Sequence, residues 1–416
     1  MRRVARVIVR GTSRGAALGL VITSLACLDG EPTPPDTEPM LGRAPSHAAG
    51  RPDPQLVREG REIFRYETFG DEGYWTDTLR LHEAVEMAVS PRTALDVGLK
   101  VDVDALPQAV KDALAAGAVD LDDPATTLAL LELDAVLGLR GRVEVQDGAQ
   151  RLVSLGITCA LCHSTVDDTF GPGIGRRLDG WPNRDLDVGL IVSLSPALQD
   201  ADVQAVLSSW GPGMYDAYWN LDGLNDPTVI PPAYGLRHVE LETFTGEGPI
   251  SYWNAYVAVT QMHGQGSFTD PRLGIEIIAD PDLVTPKLPA LREYQRSLDA
   301  PAPPPGSFDV RAAARGRAVF TGAGRCVSCH MGPAFTDANR RLHDPAETEM
   351  DPLLAERATT GQYRTTPLSG LWHRAPYFHD GSAATLLDVV EQYERVLTLG
   401  LTEQQRLDLI EYLKSL

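Results

Sequence analysis

Basic charge is scarce in this sequence, and cysteine is scarcer. Five of the 37 lysines and arginines, all of them arginine, precede Cys27, so the remainder carries 32 basic against 57 acidic residues, formally −25. Such a balance argues against nucleic acid or an anionic membrane surface as a partner, because both need basic faces. It favours a basic protein or a cationic ligand, and it also keeps the surface solvated. Acidic residues are absent before Asp29, where MRRVARVIVRGTSRG is followed by the apolar run AALGLVITSLA. That run is too short to cross a bilayer comfortably, and its layout is that of an export signal over residues 1–26. Cys27 follows in SLAC, where lipid attachment is the alternative to ordinary cleavage, although Ser24 stands where lipoprotein signals carry an aliphatic residue. The stretch 27–54 is rich in proline, cannot build a core and reads as a tether. Export to the periplasm or another extracytoplasmic space follows, and lipid attachment at Cys27 is the one alternative that would link the chain to a membrane.

Four of the five cysteines stand in two copies of one motif, TCALCHS at 158–164 and RCVSCHM at 325–331. A zinc site would need the Cys-x-x-Cys halves brought together, yet they lie far apart and each has a histidine fused to its second cysteine. A thioredoxin-like redox pair would need one copy beside a strand–helix pattern, which is not evident. Two Cys-x-x-Cys-His copies in an exported chain point to two covalently attached c-type haems. Cys159 and Cys162 would hold one haem with His163 on its iron, and Cys326 and Cys329 the other with His330.

The frame around the motifs repeats. RAAARGRAVFTGAGRC carries Gly316 and Phe320, and QLVREGREIFRYETFG carries Gly60 and Phe64 in the same spacing. Each unit closes on a similar helix, at 288–298 and 401–416, the latter with Thr402 and Gln405 spaced as a capping box. The proline-rich joint DAPAPPPGSFD divides the chain into a first cytochrome c-like domain at 55–298, a linker at 299–309 and a second domain at 310–416. Residues 66–150 or so interrupt the first unit with helical patterns and no catalytic constellation. The expected class is all-α: two cytochrome c-like haem domains in tandem, with a helical insertion and long loops. A second echo sets 231–259 beside 366–393, each giving a proline turn, Gly-Leu, a glycine turn and a helix. In a haem domain such a segment covers the face of the iron opposite the motif histidine.

In the second copy, TPLSGLWHRAPYFHDGSAATLLDVVEQY resembles the segment shared by the bacterial di-haem cytochrome c peroxidase/MauG-like superfamily. The resemblance covers residues 308–416 well, the first unit loosely and the insertion not at all. It implies that the C-terminal haem relays or stores an electron and that the N-terminal haem meets peroxide. It also implies Tyr393 as sixth ligand beside His330, since the residue fourteen after His379 fills that role in the family. His379 then binds a haem propionate or a neighbouring group, and Trp372 lies on the path between the haems. Met350 is a weaker alternative ligand. At the first haem the aligned residue is Val259, which cannot bind iron; Met262 and His263 follow one helical turn on. Met262 is a candidate ligand and His263 a candidate distal acid–base, because imidazole titrates near neutral pH. His238 and Glu247 are lesser candidates for the same pocket.

Two readings stay open at this level. One is an oxidoreductase that takes electrons from a soluble redox protein and activates peroxide or dioxygen at the N-terminal haem. The other is a non-catalytic electron carrier with both irons six-coordinate. A di-haem oxygenase acting on a hydrophobic polymer shares the motifs.

Overall fold

The computed structural model describes residues 52–416. The export signal, Cys27 and nearly all of the tether lie outside the described residues. The repeated frame becomes a repeated helix crossing. Helix α1 (Pro54–Tyr66) packs on α3 (Leu288–Ser297), and α4 (Val310–Thr321) packs on α6 (Glu403–Lys414). Helices α2 (Ile250–Thr260) and α5 (Leu386–Leu397) complete the echo at 231–259 and 366–393. Both leading helices start on an aspartate N-cap: Asp53 accepts from the amide of Gln55, and Asp309 from those of Arg311 and Ala312. The amide of each cap donates to a glutamate on the closing helix, Asp53 to Glu293 at 3.0 Å and Asp309 to Glu411 at 2.6 Å. Phe64 meets Tyr294 edge-on at 5.4 Å, and Phe320 meets Tyr412 likewise at 5.2 Å. Thr402 and Gln405 do form the capping box of α6.

The glycines explain how close these helices come. A Cβ at Gly60 would lie 1.9 Å from the carbonyl oxygen of Ala290, and one at Gly316 would lie 1.9 Å from that of Asp408. Only a hydrogen fits there, so any side chain must push the helices apart. Gly316→Ala is expected to cost about 1–3 kcal/mol as an overpacking change, read as a lowered denaturant midpoint. An unchanged midpoint would mean that α4 and α6 separate freely.

Helices dominate, but among the described residues five small two-stranded sheets accompany them, so the class is helix-rich and not purely α. The main departure is an antiparallel hairpin, β1 (Leu139–Gln146) with β2 (Ala149–Ile157), in the insertion expected to be helical. Asp147 and Gly148 join the strands with φ of 52° and 82°, a pair of left-handed residues that matches strand twist. Leu131 and Leu152, each 1 % exposed, seat the hairpin in a core that also takes in Leu161 of the first motif, Leu186 and Ile230. The insertion also lines most of a half-open apolar pocket of about 440 Å³, with Leu95, Val110, Leu114 and Leu130 from the insertion and Ile174 from beyond it. Neither Cys-x-x-Cys-His turn contributes to that lining, so the chemistry lies elsewhere. A second core holds Phe64, Tyr256, Val259 and Met262 together with Leu354, Ala355 and Tyr363, while a third gathers Phe320, Leu386, Val390 and Leu409. The second thus joins the first unit to the 353–363 segment of the later one. No helix among the described residues is long and apolar enough to cross a membrane.

Candidate functional site

Strand β2 runs directly into the first motif. Thr158 is fixed at both ends, its amide donating to Gly138 O at 2.9 Å and its hydroxyl to Arg65 O at 3.1 Å. One helical turn, Ala160–His163, then carries the motif. Its carbonyls are taken by the following loop, where the amides of Asn183 and Gly180 donate to Cys162 O and His163 O. The ring of His163 donates from Nδ1 to Pro231 O at 3.0 Å. In the second motif a 3₁₀ turn, Cys326–Ser328, presents the cysteines, and His330 Nδ1 donates to Phe335 O at 3.0 Å. The backbone of Thr366 also borders the His330 ring. Burial lowers both imidazoles, His163 to about 4. It raises Cys159 and Cys162 to about 12 and Cys326 to about 11, so these sulfurs are protonated thiols at neutral pH.

This donor set decides between cofactors. The four cysteines are unpaired, with no disulfide between them. Among the described residues the only group of three metal-capable side chains within reach of one another is Cys329, Asp337 and His343, so the two motifs do not converge on one ion. In that group both His343 nitrogens already face carboxylates, Asp337 at 3.0 Å and Glu347 at 3.1 Å, and Arg341 covers Glu347. It is a satisfied hydrogen-bonded cluster in the loop after His330. What remains at each turn is two thiols free to bond a porphyrin edge and an imidazole tethered through Nδ1. That tether fixes the tautomer and leaves Nε2 as the metal-binding atom, the usual arrangement of a ligating histidine. The residues fit a haem at each turn.

Near the second turn stands Tyr393, on α5. Burial raises its phenol to about 12, and the Cys329 and Cys326 thiols add to the effect, which places the ring beside both sulfurs. Phe378 contacts it edge-on at 6.2 Å. His379 is buried and engaged: its Nε2 lies 3.1 Å from the hydroxyl of Tyr363, which in turn donates to Asp351 O at 2.7 Å. Met350 packs against the first unit's core rather than in the second unit's core. Trp372 meets Trp181 edge-on at 5.8 Å and donates Nε1 to Pro301 O. Beside it, His373 stacks on Trp181 at 4.2 Å and pairs with the Tyr234 hydroxyl at 2.7 Å.

At the first turn, Val259 and Met262 are both buried, in the core that also holds Ala160. His263 leaves that core on left-handed backbone, φ 61°, and stacks on Tyr74 with ring centroids 3.6 Å apart. Desolvation lowers its imidazole, although its outer edge stays open to solvent, which tempers the shift. Tyr215 donates to Gln261 Oε1 at 2.7 Å, and interaction with the Cys162 thiol places this phenol beside the first motif. The lesser candidates do not join this group. His238 is exposed, and Glu247 is bound by Arg272 at 3.2 Å and by the amide of Thr359 at 2.7 Å, a structural role.

The insertion is less inert than its sequence suggests. Its first residues include a one-turn π-helix, Gly73–Thr78, that supplies Tyr74 to His263. Next to it the fully buried Asp71 is pushed up to about 8 by desolvation, and it accepts from Trp75 Nε1 at 3.2 Å and from the Ile157 amide. Trp75 also reaches Met262 O at 3.1 Å, joining this segment to the His263 loop. No periodicity marks a π-turn, and only the density of aromatic and acidic residues in FGDEGYW could have drawn attention to it.

A family model described as RoxA-like, cytochrome c-like matches residues 361–398. Among curated proteins, Cytochrome-c peroxidase IdrP1 of Denitromonas iodatirespirans is 29 % identical over 149 residues, covering 25 % of this chain and 40 % of that protein. Cytochrome-c peroxidase IdrP2 of the same organism is 28 % identical over 303 residues, 63 % of this chain and 76 % of the relative. Cytochrome c551 peroxidase of Nitrosomonas europaea is 32 % identical over 108 residues, 24 % and 32 % respectively. The chain therefore spans less than half the length of the first and third of these relatives, and about three quarters of the second.

Proposed function

We propose, from the chain's place in the di-haem cytochrome c peroxidase/MauG-like superfamily, that it is a peroxidase-type haem oxidoreductase working outside the cytoplasm. In this reading one c-type haem is held covalently by Cys159 and Cys162 with His163 as ligand, and the other by Cys326 and Cys329 with His330. When bound, they supply the one-electron chemistry and the activation of peroxide or dioxygen that side chains lack. The unit at 310–416 meets a soluble redox protein, and the unit at 55–298 meets the oxidant. An acidic surface of this size favours a basic redox partner.

One observation carries the reading: the two turns are furnished differently. Beside Cys326 and Cys329 stands a half-buried phenol, Tyr393, able to ligate. At the first turn the aligned residue is Val259, which has no donor atom, and the next titratable group is His263, turned out of the core against Tyr74. An imidazole so placed takes a proton from peroxide at a ring nitrogen and returns it to the departing oxygen. The Tyr215–Gln261 pair orients the oxidant by hydrogen bonding, and Trp181 with Trp372 lines the way between the units.

EPR of the ferric and half-reduced protein tests this. One high-spin signal that disappears on adding peroxide, next to one low-spin signal, is the expected result. Replacing His263 with glutamine should then slow peroxide turnover by about 10²-fold or more, the scale of a lost general acid–base. Two low-spin signals indifferent to peroxide in both states would overturn the enzyme reading. The chain would then be an electron carrier, with Met262 or His263 on the first iron.

A further inference from the structure

Among the described residues, arginines whose side chains point inward are, as a rule, paired. Arg177 meets Asp102, Arg292 and Arg296 share Glu242, and Arg357 meets Asp216 and Asp222. Three others break the rule, and all three lie where the loops after the two motifs meet. Arg374 is 6 % exposed, and its guanidinium touches only neutral oxygens: the Tyr234 hydroxyl at 3.2 Å, Pro367 O at 2.6 Å, and Ser369 O. Arg184 spends one nitrogen on Arg374 O at 3.0 Å, while its Nε and Nη1 are buried with no partner. Arg364 reaches Leu241 O at 3.0 Å, and its Nε is likewise buried and unmatched. Among the described residues none of the three makes a salt bridge. Glu242, the nearest acid to register at Arg364, is committed to Arg292 and Arg296.

A buried guanidinium without an anion is costly, and three sharing one seam repel one another as well. Burial lowers Arg184 and Arg364 to about 10, and Arg374 adds to the shift in both. The seam therefore calls for carboxylates or another anion from outside the polypeptide. Its position narrows the source. Arg184 follows Asn183, whose amide holds Cys162 O, and Tyr234 lies three residues after Pro231, which holds His163. On the other side Arg364 lies two residues before Thr366, whose backbone borders His330.

We propose that Arg184, Arg364 and Arg374 form a carboxylate clamp at the seam between the two motif-bearing units, and that it holds haem propionates. The clamp rests on the haem reading above. It fixes the orientation of the two groups relative to each other and, through its positive charge, favours the reduced state of the haem it touches.

Arg184→Met and Arg364→Met in the holoprotein test the proposal, with Arg184→Lys as a charge-retaining control. Covalent haem per chain is counted first, and midpoint potentials are then measured by redox titration. The expected result is two haems retained, with the reduced-to-oxidised ratio of one haem falling about tenfold at fixed poise in the methionine variants. For a one-electron couple that is 59 mV. The lysine variant should recover most of the loss, which a role in packing alone would not produce. Unchanged potentials with both haems present would overturn the clamp. So would a wild-type potential that shifts on titration with acetate, since the site would then be open to free anions and not filled by propionates. Fewer than two haems on the wild-type chain would sink the haem reading itself, a failure distinguishable by the count alone.

Discussion

Arg357→Met is expected to destabilise the folded chain by about 3–5 kcal/mol, the scale of removing one partner from a buried ion pair. The guanidinium is 5 % exposed and Asp216 is 1 % exposed, so neither charge is shared with water. Nη1 lies 3.2 Å from Asp216, Nε lies 2.8 Å from Asp222, and Nη2 donates to Leu224 O at 2.8 Å. The ring of Tyr218 covers the group at 5.6 Å. Arg357 belongs to the segment just after Leu353–Glu356, whereas its acceptors belong to the loop 216–226 of the first unit, so the contact ties the two halves of the chain. Methionine keeps the volume and drops the charge, leaving Asp216 buried with backbone donors alone. Asp222→Asn should cost under about 1 kcal/mol, because that carboxylate is 32 % exposed and water compensates it. Equilibrium denaturation of the two variants reads both numbers. A loss under 1 kcal/mol for Arg357→Met would show that the loop relaxes to hydrate Asp216.

That contact illustrates what the sequence could and could not disclose. The cysteine motifs were legible because each is a run of five residues with fixed spacing, a wholly local signal. So was the repeated Gly and Phe frame, since a glycine at a helix crossing and an aromatic one turn later are local signals. The matching Asp53–Glu293 and Asp309–Glu411 bonds were not, because each joins residues far apart in sequence. RGRVEVQDGAQRLVSLGI alternates and turns on Asp-Gly, a local hairpin signal, but the helical runs before it suggest a helical insertion throughout. Arg184, Arg364 and Arg374 escaped notice for a different reason. An arginine in a loop is by default solvated, and only the folded chain shows that these three share a buried seam without acids. Asp71 is a similar case, ordinary in sequence and wholly buried in the fold.

The second large effect is expected at Tyr393. If its phenol oxygen is the sixth ligand at the His330 site, Tyr393→Phe keeps the ring and its edge contact with Phe378 while removing the only atom able to bind. The low-spin or oxygen-ligated signature of that haem should then be lost, with little change in folding stability. Tyr393→Met replaces a hard anionic donor with a soft neutral sulfur, which no longer favours the ferric charge. Its midpoint potential should rise by on the order of 100 mV or more, within the roughly 0.8 V that axial ligands command. The direction matters for function. In the proposed relay, a strongly raised potential at the second unit would trap the electron there and slow its delivery to the first, so turnover should fall even though no group near His263 has changed. Spectra and potentials unmoved by both substitutions would make Tyr393 a core phenol. The asymmetry between the two turns would then have to come from the first alone, from His263 and Tyr74.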